Sequence, residues 1–130
     1  MLLGTPYQAH VSAAKAAVDA LSRVIAVEEG PRGIRSNVIS PGPVGETEGF
    51  TRLSSREAPN PIYIPYPLGR VGHTKDVANA TVFLFSEAAA NVTGQILIVD
   101  GANSFVASFQ LPYPKSVLDP ESVKHLIPKL

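Results

Sequence analysis

Two places in the chain carry residues that could do chemistry, Lys15 and the stretch Asn37-Val38-Ile39-Ser40-Pro41-Gly42-Pro43-Val44. Lys15 follows Val11 by one turn of a predicted helix, and a lone lysine there is usually a solvated charge. The second stretch is more informative, because a Pro-Gly pair after a strand lets the backbone turn sharply and approach a ligand closely. In open α/β sheets, ligands bind beyond the carboxyl ends of the strands. On its own, a simple strand-to-loop turn explains this stretch equally well.

The composition excludes several other kinds of site. The 130-residue chain has no cysteine, which removes disulfides, thiolate catalysis and cysteine-based zinc sites. His10, His73 and His125 lack the spacing of metal ligands, so no metal is expected. The 11 basic and 11 acidic residues give no net charge that would recruit nucleic acid or an anionic membrane. Because no membrane span or signal peptide is evident, we expect a soluble intracellular protein.

The clearest element that could position Lys15 is a helix over residues 10–29. Its apolar residues recur at helical spacing on two adjoining faces, one of them rich in alanine. A helix that is apolar on two sides is usually buried on two sides. We therefore expect one side to cover a sheet and the other to meet a partner subunit. Gly30-Pro31-Arg32-Gly33 is predicted to end the helix.

The rest of the pattern indicates an α/β architecture with parallel strands joined by helices. Two strands cannot form a sheet covered on both faces, so the chain is expected to be part of a domain. Beyond Phe105, only a weak helical pattern occurs, near residues 122–127. The predicted order is a strand from Ile34 to Ile39, a binding or lid loop from Val44 to about Leu68, a helix with Thr74 as its N-cap and Asp76 in its first turn, and a strand from Gln95 to Val99.

Several short motifs in one order resemble the C-terminal half of short-chain dehydrogenases/reductases, over residues from about 4 to 104. The resemblance implies the C-terminal part of a Rossmann-like, doubly wound parallel sheet without the N-terminal βαβ units. Residues 1–104 would belong to that domain and residues 105–130 would form a tail. The motifs are Ser12-Ala13-Ala14-Lys15-Ala16, Gly33-Ile34-Arg35-Ser36-Asn37, Pro41-Gly42, Leu68-Gly69-Arg70-Val71-Gly72, Val92-Thr93-Gly94-Gln95-Ile96 and Val99-Asp100-Gly101.

One departure from the family pattern narrows the resemblance. The family's catalytic tyrosine normally stands four residues before the helical lysine, and here that position is Val11. The 2,4-dienoyl-CoA reductases keep the lysine and draw the tyrosine from further upstream. The segment from Gly4 to Lys15 is similar to the fungal peroxisomal form, as is Pro41-Gly42-Pro43-Val44-Gly45-Glu46-Thr47-Glu48-Gly49 followed by Arg52-Leu53. Tyr7 is the nearest tyrosine, and packing is expected for it rather than proton donation.

This resemblance implies the cofactor, the substrate and a role for each candidate residue. Lys15 would contact the NADPH ribose and lower the pKa of the tyrosine. Pro41, Gly42, Pro43 and Val44 would line the nicotinamide. Arg52 would contact the coenzyme A portion of a 2,4-dienoyl-CoA, since a guanidinium can bind two phosphate oxygens at once. The implied reaction is hydride transfer to the distal end of the diene, followed by protonation to a 3-enoyl-CoA in the oxidation of unsaturated fatty acids.

Further expectations concern competence, assembly and location. No Gly-x-Gly-x-x-Gly loop occurs, so this polypeptide alone is expected neither to hold NADPH tightly nor to catalyse reduction. The helix over residues 10–29 predicts a homo-oligomer, and Pro128-Lys129-Leu130 resembles a peroxisomal C-terminal signal. Two alternatives remain open: another short-chain reductase, such as a 3-oxoacyl or steroid enzyme, and a non-catalytic module that pairs with complete subunits.

Overall fold

A computed structural model describes residues 8–53, 67–106, 119 and 121. The predicted order of helix, strand, helix, strand is confirmed, with short elements added between and after them. The elements are α1 (Ala9–Glu29), a 3₁₀ turn (Gly30–Arg32), β1 (Val38–Pro41), α2 (Glu48–Leu53), α3 (Thr74–Phe85), a second 3₁₀ turn (Glu87–Ala89), β2 (Ile96–Val99) and α4 (Asn103–Val106).

The two strands form a parallel pair in which Val38 lies opposite Ile96 and Pro41 opposite Val99. Parallel neighbours need a crossover connection, and α3 lies in the connection between β1 and β2. The helices α1 and α3 lie on opposite faces of the pair. The Ser22 hydroxyl of α1 lies 2.9 Å from that of Ser36, whereas Ile39 shares a groove with residues of α3. The arrangement is therefore one βαβ unit with a further helix on its other face.

The predicted start of the first strand at Ile34 is wrong, because the residues before Val38 bind other segments of the chain. Arg35 donates to the carbonyls of Leu84, at 2.7 Å, and Val92, at 3.2 Å. The Asn37 side chain donates to the Val92 carbonyl, at 2.8 Å, and accepts from the Gln95 N–H, at 3.1 Å. These bonds tie the amino end of β1 to the turn before β2. The motif Gly33-Ile34-Arg35-Ser36-Asn37 therefore stabilises the fold through Arg35 and Asn37.

The N-cap of α3 is His73, not the predicted Thr74, which is the first helical residue. Asp76 accepts the His73 N–H at 2.8 Å and so completes a capping box. The loop predicted from Val44 to about Leu68 contains α2, and its residues 54–66 lie outside the described ranges. The weak helical pattern near residues 122–127 also lies outside them.

The core is small within the part of the chain that the structure describes. The buried apolar side chains there are Ala26, Leu84 and Ala89. Many larger apolar side chains are exposed instead, among them Val27 at 77% and Phe85 at 85%. None of the helices that can be described has the length and hydropathy needed to cross a bilayer. Two strands with one helix on each face therefore leave much of the apolar surface of the helices exposed.

Candidate functional site

The turn after β1 lies against the turn after β2. The Gly42 N–H donates to the Val99 carbonyl at 3.1 Å, which extends the ladder one residue past β1. A Cβ atom at Gly42 would lie 2.7 Å from Cβ and 2.9 Å from Cα of Asp100. Only glycine permits this approach without a shift of one of the two backbones. The Pro-Gly turn predicted from the sequence is therefore held in place by β2.

Asp100 organises the carboxyl end of β2. Its two carboxylate oxygens accept the N–H groups of Ala102 and Ser104, each at 2.8 Å. Gly101 and Ala102 both have positive φ, of 60° and 65°, which turns the chain directly into α4. From the sequence, Asp100 was predicted only as part of the motif Val99-Asp100-Gly101. An aspartate followed by glycine and a short helix was the signal that could have identified a capping residue.

Beyond the turn after β1, a parallel bridge between Val44 and Gly72 lies at the same carboxyl end of the strands. The Gly72 N–H donates to the Pro43 carbonyl at 3.1 Å, and the Gly45 N–H donates to the Gly72 carbonyl at 2.9 Å. In a parallel bridge these bonds come from the neighbours of Val44, so the N–H of Val44 itself points away from Gly72. The Val44 carbonyl accepts the Thr47 hydroxyl at 2.8 Å. The Val44 N–H is thus a donor directed to the opposite side of the turn.

An ion pair holds the segment that carries Gly72. Arg70 Nη1 and Nη2 lie 2.6 and 2.9 Å from the two carboxylate oxygens of Asp76. The hydrogen bond from Arg70, followed by that from the His73 N–H, keeps the pKa of Asp76 well below its ordinary value of 3.8. Both side chains are partly exposed, at 48% and 30%, so solvent screens the pair. This ion pair, the Arg70–Asp76 brace, connects the start of α3 with the segment in which Gly72 bridges to Val44.

We expect the variant Asp76→Asn to unfold at lower urea concentration than the parent at neutral pH. A carboxylate with a lowered pKa in the folded state stabilises it above the unfolded pKa, near 3.8. That contribution is lost as the pH falls further. The difference between the two urea midpoints should be constant above about pH 5 and shrink below about pH 4. A constant difference across that range would contradict this role of the ion pair.

The direction of α1 carries Lys15 toward the carboxyl end of β1. The Ile34 N–H donates to the carbonyl of Glu29 at 3.3 Å, and Ser22, two turns earlier in α1, meets Ser36. The helix therefore runs antiparallel to β1. Lys15 precedes Ser22 by seven residues, which moves it roughly 10 Å toward the carboxyl end of β1. Its side chain is exposed.

Arg52 lies in α2, which begins four residues after Val44, and the structure does not describe its side chain. Tyr7 lies outside the described residues. Of the predicted site residues, the structure describes Pro41, Gly42, Pro43 and Val44 in one turn, and Lys15 on α1, the helix that runs antiparallel to β1. In the described ranges, no three His, Asp or Glu side chains are grouped as a metal site would require.

Comparison with known proteins places this geometry in a family. Residues 2–102 match the family model described as enoyl-(acyl carrier protein) reductase. A peroxisomal 2,4-dienoyl-CoA reductase of Saccharomyces cerevisiae is 51% identical over 98 residues, which cover 75% of this chain and 34% of that protein. The peroxisomal 2,4-dienoyl-CoA reductase of Danio rerio is 43% identical over 99 residues, 75% of this chain and 33% of that protein.

Solved structures show the same fold. A 7α-hydroxysteroid dehydrogenase complexed with NADH superposes with a TM-score of 0.69 at 34% identity, over 76% of this chain and 38% of the other. The chain spans about a third of the length of the curated relatives it matches. Its parallel pair and helices correspond to part of a Rossmann-like sheet. The chain therefore belongs to the short-chain dehydrogenase/reductase family.

Proposed function

We propose that this chain forms the nicotinamide end of an NADPH-dependent reductase that converts 2,4-dienoyl-CoA to 3-enoyl-CoA. The Saccharomyces relative, 51% identical to this chain, supports the choice of reaction within the family. The observation that carries the proposal is the turn Pro41-Gly42-Pro43-Val44. It lies at the carboxyl edge of the parallel strands, braced by Asp100 and Gly72 and presenting the Val44 N–H.

The residues at this edge fit a nicotinamide cofactor. The carboxamide of nicotinamide has a carbonyl acceptor, and the Val44 N–H is a donor that the Gly72 bridge leaves free to meet it. Pro41 and Pro43 offer flat apolar surfaces without N–H groups to leave unsatisfied. The Lys15 ammonium can donate to ribose hydroxyls from the adjoining helix. Bound NADPH would supply a hydride to the distal carbon of the conjugated diene.

The chain's own residues would position the reactants and the proton. The Gly42 turn would contact one face of the nicotinamide, and the positive charge of Lys15 would lower the pKa of the proton donor. That donor would be a tyrosine supplied from upstream of the family's usual position, and it would protonate the dienolate near the thioester. Arg52 is proposed to hold a phosphate of coenzyme A from α2, which follows the turn directly.

The test of this proposal is the loss of dienoyl-CoA absorbance with NADPH. We expect activity when the chain is combined with the amino-terminal two thirds of the Saccharomyces relative, because the chain has no glycine-rich pyrophosphate loop. The chain alone should neither turn over the substrate nor hold NADPH tightly. Turnover by the chain alone would contradict this division of roles, and no turnover by the combination would contradict the proposed reaction.

We also propose a peroxisomal location and a homo-oligomer. The names of the relatives and the terminal Pro128-Lys129-Leu130, in the tail over residues 105–130, support the first. Exposed apolar residues of α1, such as Val24 at 49% and Val27, support a subunit contact there. A fluorescent fusion with the tail intact should enter peroxisomes and should remain outside them when the last three residues are removed. Cytosolic fluorescence with the tail intact would contradict the location.

A further inference from the structure

Thr47 joins two elements of the candidate site, the turn that carries Val44 and the helix α2. Its hydroxyl donates to the Val44 carbonyl at 2.8 Å, and the same oxygen accepts the Phe50 N–H at 3.2 Å. Because Glu48 is the first residue of α2 and Phe50 the third, Thr47 is the N-cap of this helix. A hydroxyl can donate one hydrogen bond and accept others, and here one side chain does both.

The bond from Thr47 fixes the peptide group between Val44 and Gly45. The carbonyl of this group belongs to Val44, and its N–H, on Gly45, donates to the Gly72 carbonyl at 2.9 Å. A planar peptide group that is bonded at both ends cannot rotate without breaking one of the two bonds. The preceding peptide group is held by the bond from the Gly72 N–H to the Pro43 carbonyl, at 3.1 Å. Both peptide groups that flank Val44 are therefore fixed, and with them the direction of its N–H.

The turn between Val44 and Thr47 contains a residue in an unfavourable conformation. Glu46 has a positive φ of 61°, which costs free energy for a residue with a Cβ atom. Such a residue keeps that conformation only where surrounding bonds hold it. The hydroxyl bond of Thr47 on one side of the turn and the Gly72 bridge on the other supply this restraint. The direction in which α2 leaves the turn therefore depends on Thr47.

We propose that Thr47 is a positioning residue that holds the Val44 turn and α2 as one unit, so that cofactor and acyl-CoA bind at a fixed separation. The inference rests on the proposed function, in which the Val44 N–H meets the nicotinamide and Arg52 of α2 holds a phosphate of coenzyme A. Hydride transfer requires the reacting carbons of the two ligands to be close and aligned. The donor and the acceptor of Thr47 are both used within the chain, so this side chain acts through Val44 and α2 rather than by contact with a ligand.

The link is tested first in the chain itself, by hydrogen exchange. Thr47→Asp keeps an oxygen that caps α2 but, as a carboxylate at neutral pH, has no hydrogen to donate to the Val44 carbonyl. The Gly45 amide should therefore exchange roughly 3- to 10-fold faster than in the parent, the effect of losing one neutral hydrogen bond. The Phe50 amide should keep the parent rate, and Thr47→Ser should leave both amides unchanged. Equal exchange of the Gly45 amide in the parent and in Thr47→Asp would overturn the proposal.

The effect on the ligands is measured with the chain combined with the amino-terminal two thirds of the Saccharomyces relative. Thr47→Val removes the hydroxyl at nearly the same size and should raise the KM values of NADPH and of dienoyl-CoA by roughly 3- to 10-fold each. Thr47→Ser should keep the parent values. A loss of folded protein alone would lower kcat and leave both KM values unchanged. Thr81→Val is the matched control, because it removes a hydroxyl that donates to the Val77 carbonyl at 2.9 Å within α3, and it should change neither KM.

Two kinetic results would overturn the proposal: a Thr47→Val variant that raises the KM of one ligand only, or one that changes neither KM. Either result would leave Thr47 as a helix cap without a role in placing the ligands. A parent complex without turnover would contradict the proposed function, whereas the exchange rate of the Gly45 amide would still decide whether Thr47 fixes the turn. The two failures are therefore distinct.

Discussion

Gly42→Ala is expected to destabilise the fold by about 1–3 kcal/mol, the usual cost of forcing extra volume into a close contact. The new methyl carbon would lie 2.7 Å from Cβ of Asp100 and 2.9 Å from its Cα. Because the second atom is backbone, no rotation of the Asp100 side chain can relieve the contact. The turn after β1 must move away from β2, and the bond from the Gly42 N–H to the Val99 carbonyl must lengthen. Urea unfolding followed by far-ultraviolet circular dichroism measures the loss.

Gly30→Ala is the matched control for this substitution. A Cβ atom at Gly30 meets nothing within 4 Å, and the residue has right-handed helical dihedrals of −52° and −44°. Alanine there should stabilise the chain by roughly 0.5–1 kcal/mol, because it reduces the entropy of the unfolded state. If the Gly42 variant unfolded at the same urea concentration as the Gly30 variant, the two turns could not lie as close as described.

The double variant Gly42→Ala with Asp100→Gly separates the two contacts at this position. Glycine at position 100 removes the atom at 2.7 Å but leaves the Cα at 2.9 Å. It also removes the carboxylate that accepts the N–H groups of Ala102 and Ser104. The double variant should therefore not recover the stability of the parent. Asp100→Gly alone measures the loss of that carboxylate, so a backbone contact predicts that Gly42→Ala costs stability in the Asp100→Gly background as well as in the parent.

The sequence predicted the elements better than the contacts between them. Helical spacing over residues 10–29 sufficed to predict α1 to within one residue, because that pattern is local and long. The start of β1 was predicted wrongly because Ile34 has strand propensity, whereas Arg35 and Asn37 bind residues more than 45 positions away. Tertiary hydrogen bonds override local propensity in such a case. No local pattern reports on partners at that distance.

In the candidate site, too, the local features could be predicted from the sequence and the long-range contacts could not. The Pro41-Gly42 turn could be predicted because proline and glycine have particular backbone requirements. The requirement for glycine at position 42 comes from Asp100, 58 residues later, and only the parallel register brings the two together. The Arg70–Asp76 brace is local enough to be found from the sequence, but its role depends on the Gly72 bridge to Val44. The roles of Lys15 and Arg52 stay predictions that the resemblance supplied.

Lys15→Ala is expected to lower the rate of dienoyl-CoA reduction by about 10²- to 10⁴-fold, the range for loss of assisted proton transfer. The assay uses the complex with the amino-terminal part of the Saccharomyces relative. The effect should fall mainly on kcat, because the ammonium acts on the proton donor and the cofactor ribose rather than on coenzyme A. The side chain is exposed, and surface substitutions change stability by about 0.5 kcal/mol or less. The urea midpoint should therefore stay close to that of the parent.

Lys75→Ala is the matched control, since Lys75 is another exposed lysine, in the first turn of α3. It removes the same charge from the chain and should leave the rate unchanged, so any general effect of net charge on acyl-CoA binding would appear in both variants. A Lys15 variant that kept the parent rate would show its lysine to be a solvated surface charge, the simpler interpretation of its position. A parent complex without activity would instead contradict the proposed reaction, and with it the proposed role of Lys15 in that reaction. Because the rate of the parent is measured first, the two failures are distinct, and the role of Lys15 is tested separately from the identity of the reaction.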